Sequence, residues 1–106
     1  MDDSAWATIA ELNHWLTKDS ELPAETQKIL QILKITEEAG EVAEAVIGAT
    51  GQNPRKGFSH GWDDVEKELC DVIITSMVAL TRLNPEAGLV FRRELRRVAA
   101  RALGPS

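Results

Sequence analysis

Acidic side chains recur in two segments at a spacing that would put a pair of carboxylates on one helix face in each. Glu38 and Glu41 are three residues apart, as are Glu68 and Asp71, and residues at that spacing are neighbours on a helix surface. No Lys or Arg lies within residues 37–44 to relieve the repulsion. If the pairs converge, a divalent cation would stabilise them, and oxygen ligands suit Mg²⁺ or Mn²⁺. The pattern alone leaves open the alternative of solvated helix faces that hold no metal.

Four helical segments would position these acids. Aromatic residues make up only 5% of the 106 residues and Tyr is absent, while Ala, Leu, Glu and Arg are abundant, which favours helices over strands. The apolar residues recur at helical spacing between segments rich in Pro and Gly. The predicted helices cover residues 4–16, 24–47, 63–83 and 86–103, and a turn-rich loop covers residues 48–61. We therefore predict an all-α, four-helix bundle-like fold in a single domain, residues 1–106.

The length of the chain predicts that this bundle is completed by homo-oligomerisation. A chain of 106 residues made of long helices buries little surface by itself, so a second copy is the physical expectation, as a homodimer or homotetramer. Gly40 lies inside the second predicted helix, where it costs about 1 kcal/mol relative to Ala. We expect another part of the protein to pack closely against the backbone at that glycine.

Composition argues against several classes of protein. The net charge of −5 disfavours non-specific binding to nucleic acid, although residues 85–106 are basic, with five Arg. No apolar run approaches the ~18 residues of a membrane span, and the acidic N-terminus is unlike a signal peptide. The single Cys70 fits a reducing compartment, so we expect a cytoplasmic protein that does not bind membranes. A di-iron bundle needs two Glu-x-x-His pairs, whereas this sequence has only one, Glu11 and His14. No phosphate-binding glycine loop is present.

The two acidic segments resemble a known family. Residues 34–49 (KITEEAGEVAEAVIGA) and 62–80 (WDDVEKELCDVIITSMVAL) look like the MazG-like nucleotide pyrophosphohydrolases, which belong to the all-α NTP pyrophosphatase superfamily with dimeric dUTPases and dCTP pyrophosphatases. Their hallmark is an E-x-x-E pair on one helix and an E-x-x-D pair on the next. The resemblance implies a homo-oligomer that hydrolyses a (d)NTP to the (d)NMP and pyrophosphate, with Mg²⁺ activating the water that attacks the α-phosphate.

The resemblance also implies roles for individual residues. Glu38, Glu41, Glu68 and Asp71 would hold Mg²⁺ (or Mn²⁺), and Glu38 and Glu41 would be catalytic. The general base stays open, with Glu37 and Glu41 both eligible. Candidates for nucleotide binding are Lys34, Glu37, Arg55, Lys56, Trp62 and Thr75. For each of these six, an ordinary solvated or packing role is the competing interpretation.

Two alternatives to this function remain. Many relatives carry a Lys, Asn or Tyr after the E-x-x-D pair, whereas Thr75 stands one turn after Asp71 here. This departure favours a non-catalytic helical interaction or regulatory module that keeps the fold. A weaker alternative keeps the enzyme but changes its substrate to another diphosphate-containing metabolite, such as a phosphoribosyl adduct.

Overall fold

The computed structural model describes residues 3–105, and its regular structure is entirely helical. The helices are α1 (Asp3–Thr17), α2 (Ala24–Thr50), α3 (Trp62–Leu83) and α4 (Ala87–Leu103), with no strand in the described range. The predicted all-α class and the four helices are confirmed. No helix within residues 3–105 is long and apolar enough to cross a membrane.

Helix α2 is longer than its sequence pattern predicted. The prediction ended it at Ile47, but the helix continues through Gly48 to Thr50. It ends at Gly51, which has a φ of 65° and donates its backbone N–H to the carbonyl of Ile47. Left-handed backbone of this kind favours glycine and is a common helix terminator. The loop between α2 and α3 therefore covers residues 51–61, and the predicted boundary at residue 48 was wrong.

Helices α2 and α3 pack antiparallel, and buried polar contacts fix their register. The buried Gln31 side chain donates from Nε2 to the backbone oxygen of Thr75 at 3.1 Å. Near the C-terminal end of α3, Arg82 donates to the carbonyl of Gln27 at 2.9 Å and to Oδ1 of Asn13 at 2.8 Å. A buried polar group left unpaired is costly, so these contacts favour one alignment of the helices over its neighbours. One arginine thereby links α1, α2 and α3.

The small apolar core lies between α1 and α3. Ile9 of α1 packs with Met77 and Val78 of α3, and Val78 is only 1% exposed. Helix α4 reaches this core through Phe91, whose ring centroid lies 6.1 Å from that of Trp6. The α1–α3 contact thus holds the hairpin of α2 and α3 from one side.

The four helices form an open arrangement. The radius of gyration is 17.0 Å and the extents are 51 × 46 × 23 Å, whereas a compact domain of about 100 residues has a radius of about 13 Å. Large apolar side chains such as Leu33, Ile73 and Leu95 are about half exposed. The close packing expected at Gly40 is also missing within the chain, because nothing in the described residues lies within 4 Å of where a Cβ would be.

Candidate metal centre

Three of the four predicted metal ligands meet between α2 and α3. Each of Glu38, Glu41 and Glu68 offers a carboxylate oxygen, and these three oxygens lie within 4.8 Å of one another. Glu38 and Glu41 lie one turn apart on α2, and Glu68 faces them from α3. The antiparallel register set by Gln31 and Thr75 brings the two helices together at this level.

The electrostatics of this carboxylate cluster (Glu38, Glu41 and Glu68) are unfavourable without a cation. The negative charge of Glu38 raises the pKa of Glu41 above its ordinary value, and the nearby Glu68 carboxylate and some desolvation add to the rise. Like charges at short range favour the protonated form of one member. The charged form of Glu41 is therefore disfavoured in the absence of a cation.

Glu68 contributes the most enclosed oxygen of the cluster. Its side chain is only 18% exposed, and its Oε2 atom is buried with no hydrogen-bond partner among residues 3–105. An unpaired buried carboxylate oxygen is costly, and a cation at this point would compensate it.

Asp71 does not join the carboxylate cluster. Its Oδ2 atom accepts a hydrogen bond from Nζ of Lys67 at 2.9 Å, and the same ammonium lies 3.4 Å from Oε1 of Glu68. These two carboxylates raise the pKa of Lys67. Lys67 was not among the predicted site residues, although its i, i+4 spacing to Asp71 is the usual signal of a helical ion pair. Lys67 therefore neutralises part of the acidic charge on α3, and its ion pair with Asp71 engages that carboxylate.

The donor set of the cluster suits a small, hard cation. Mg²⁺ binds oxygen at about 2.0–2.1 Å in octahedral geometry, so ligands on opposite sides of the ion are about 4 Å apart. The three carboxylate oxygens lie within 4.8 Å of one another, which is comparable to that span. Mg²⁺ usually keeps several waters, so three carboxylates are a sufficient protein contribution. The residues present fit the ion.

The remaining predicted site residues are scattered around this cluster. Glu37 is exposed and outside the group of three, and Trp62 is 59% exposed at the first residue of α3. Lys34 lies one helical turn before Glu38 on α2, and it lines a surface cavity together with Arg82. Thr75 is 7% exposed, and its described contact is the backbone hydrogen bond from Gln31. The structure does not bring these four residues together.

The two basic loop residues, Arg55 and Lys56, lie in different surroundings. Lys56 lines a cavity at the C-terminal end of α2, whereas Arg55 does not. The backbone N–H of Arg55 donates to Oδ1 of Asn53 at 3.0 Å, and its side chain is exposed. Only Lys56 of this pair is placed against the α2 surface that carries the acidic residues.

Comparisons of this chain with protein-family models, curated proteins and solved structures found no match. The features of this chain that bear on function are therefore the geometry of the carboxylate cluster and the resemblance of its two segments.

Proposed function

We propose that this protein is a Mg²⁺-dependent nucleoside triphosphate pyrophosphohydrolase of the MazG-like type. The observation that carries the proposal is the convergence of Glu38, Glu41 and Glu68 from two helices to within 4.8 Å. The raised pKa of Glu41 and the unpaired buried oxygen of Glu68 support it, because both are relieved by a divalent cation. Three carboxylates held this close repel one another, and a bound cation would offset that repulsion.

The reaction divides among these residues as follows. A water oxygen forms a bond to the α-phosphorus while the bond from that phosphorus to the oxygen bridging the β-phosphate breaks, and its electron pair leaves with pyrophosphate. Glu41 takes the proton that the water loses, because it is the exposed carboxylate of the cluster and water can reach it. Glu38, Glu41 and Glu68 would each hold the cation through one oxygen, and the second oxygen of Glu41 is the one that accepts the proton. When bound, Mg²⁺ supplies charge that stabilises the phosphate oxygens in the transition state.

The test is the release of pyrophosphate from a panel of canonical and modified NTPs with Mg²⁺. We expect turnover that EDTA abolishes and that Glu41→Gln lowers at least about 100-fold, the scale of a lost general base. Glu66→Gln is the matched control, because Glu66 is exposed on α3 and lies outside the cluster. Turnover that survives EDTA or Glu41→Gln contradicts the mechanism. No turnover across the panel, with no Mg²⁺ binding, favours the non-catalytic module instead.

We also propose that the active form is a homo-oligomer. The radius of gyration of 17.0 Å belongs to a chain that has not closed around its own core. Two adjoining grooves of about 420 and 320 Å³ run along α3, both lined by Ile73 and Met77 and almost entirely apolar. On α4, Leu95 and Val98 are 52% and 38% exposed. A second copy offers apolar helix faces of this kind, so pairing would cover both surfaces.

Light scattering on the purified protein tests the oligomer. We expect a mass at least twice that of the 11.7 kDa chain. Ile73→Glu should shift the mass to that of a monomer, because a buried, unpaired charge is strongly unfavourable. Circular dichroism shows whether the variant keeps its helices. A wild-type mass of one chain at all concentrations contradicts the oligomer.

A further inference from the structure

The cavity at the C-terminal end of α2 is polar and lies beside the carboxylate cluster. It measures about 170 Å³, and its polar lining comes from Asn53, Lys56, Ser59 and His60 of the loop and from Glu44 of α2. Glu44 is one helical turn beyond Glu41 on the same face. The cavity is therefore adjacent to the carboxylate cluster along the helix.

The loop is held in this position by a close approach to α2. The backbone N–H of Ser59 donates to the carbonyl of Gly48 at 3.2 Å, and the Ser59 hydroxyl lies 2.9 Å from Nδ1 of His60, to which it is hydrogen-bonded. A Cβ at Gly48 would lie 2.1 Å from Nδ1 of His60 and 2.5 Å from Oγ of Ser59. Only glycine at position 48 allows both side chains to reach the cavity. This accounts for a buried glycine inside α2 that the sequence pattern placed in the loop.

The Asn53 side of the loop is ordered by its own turn. The carbonyl of Asn53 accepts hydrogen bonds from the backbone N–H groups of Lys56 at 3.2 Å and Gly57 at 2.8 Å. Gly57 has a φ of 62°, in the left-handed region that favours glycine. This turn places Lys56 on the cavity wall.

The size of the cavity limits what it can take. Pockets that enclose a whole small ligand typically measure about 300–1,000 Å³, so about 170 Å³ holds only part of a nucleotide. Among the described residues, the His60 ring is the only aromatic side chain that lines it, so no Trp, Tyr or Phe of that range offers a platform for a base. Lys, Asn, Ser and His side chains all supply hydrogen-bond donors. These features match a phosphate group better than a base.

The charge of the loop also favours a phosphate group. Arg55 and Lys56 are the only Lys, Arg, Asp or Glu residues in positions 51–61. The loop is therefore basic, in a chain whose net charge is −5. We propose that this cavity binds the β- and γ-phosphates of the triphosphate, the part that leaves as pyrophosphate. The assignment rests on the proposed function, since it places the distal phosphates one turn beyond the carboxylates that act on the α-phosphate. Lys56 donates hydrogen bonds to phosphate oxygens, and Glu44 lies between the cavity and the carboxylate cluster.

Calorimetric titration of the full-length protein with pyrophosphate and Mg²⁺ tests the assignment. We expect Lys56→Ala to weaken pyrophosphate binding about tenfold, the scale of one charge-assisted hydrogen bond. Arg55→Ala is the matched control, because it removes the same charge from the neighbouring position but not from the cavity wall; it should weaken binding less than about threefold. Equal losses in the two variants, or no loss in Lys56→Ala, overturn the assignment.

Two further variants test the geometry without relying on Lys56. Gly48→Ala changes no charge but displaces His60 and Ser59, so it should also weaken pyrophosphate binding. Glu44→Gln removes the one negative charge from the wall, so binding should stay equal or become tighter. Weaker binding in Glu44→Gln would show that this position holds the cation, and unchanged binding in Gly48→Ala would show that the loop does not form the site; either result overturns the assignment.

Hydrolysis measured on the same proteins separates this assignment from the proposed function. If the wild-type protein hydrolyses NTPs while Lys56→Ala binds pyrophosphate normally, the cavity assignment is wrong and the proposed function stands. If the wild-type protein binds pyrophosphate through Lys56 but releases none from any NTP, the proposed function is wrong and the cavity remains a diphosphate site.

Discussion

The substitution Glu41→Gln should change thermal stability in opposite directions with and without Mg²⁺. In EDTA, Glu38 and Glu68 disfavour the charged form of Glu41 and raise its pKa. A neutral amide of the same shape removes that repulsion, so the variant should melt at a higher temperature than the wild-type protein. In Mg²⁺ the same variant loses one of the three carboxylates whose oxygens lie within 4.8 Å, and the cation should stabilise it less.

The size of the Mg²⁺ effect follows from linkage. A cation that binds only the folded protein, present at 100 times its Kd, stabilises it by about 2.7 kcal/mol, which is about 10 °C in Tm for a chain of this size. If the loss of one ligand weakens binding tenfold or more, the Mg²⁺-induced shift of Glu41→Gln should fall to about half of that or less. Differential scanning fluorimetry at low salt, in EDTA and in a Mg²⁺ series, measures both shifts.

Glu66→Gln is again the control, because it makes the same charge change on an exposed site outside the cluster. It should keep the full Mg²⁺-induced shift. The reasoning is refuted if Glu41→Gln keeps the wild-type shift, or if millimolar Mg²⁺ leaves the Tm of the wild-type protein unchanged.

Three further outcomes follow from the same structure. Lys67→Met removes the ammonium that contacts Asp71 and Glu68, so calorimetry should show tighter Mg²⁺ binding; weaker binding would contradict the view that Lys67 offsets the acidic charge. Gly40→Ala should raise the free energy of unfolding in urea by about 0.5–1 kcal/mol, because the space beside Gly40 is open within the chain; a loss of oligomer or of turnover would instead show that this space is occupied in the working protein. Because the folded state holds the Glu41 proton more tightly than the unfolded chain does, the contribution of Glu41 to stability in EDTA is fully present below about pH 4.5 and is lost as the pH rises through the raised pKa. Urea melts across that range should show the decline in the wild-type protein and a weaker one in Glu41→Gln.

Much of the secondary structure could be predicted because it depends on neighbouring residues. Pro23 precedes α2, Asn84 and Pro85 separate α3 from α4, and Gly104 follows α4. Prolines and glycines act on the backbone within a few residues, so their effect can be recognised without a partner. The error at the end of α2 has the opposite cause, because Gly48 is needed for contact with Ser59 and His60 rather than for a change in its own backbone.

The candidate site also has one part that the sequence determines and one part that depends on the tertiary structure. Sequence alone determines that Glu38 and Glu41 share a helix face, because i, i+3 spacing is a property of one helix. Whether Glu68 meets them depends on the register of α3 against α2, which long-range contacts such as Gln31 to Thr75 decide. Only the tertiary structure separates Glu68, which joins the cluster, from Asp71, which pairs with Lys67. Short-range periodicity thus determines which carboxylates can act together, and the packing of two helices, which depends on residues more than 40 positions apart, decides which of them do.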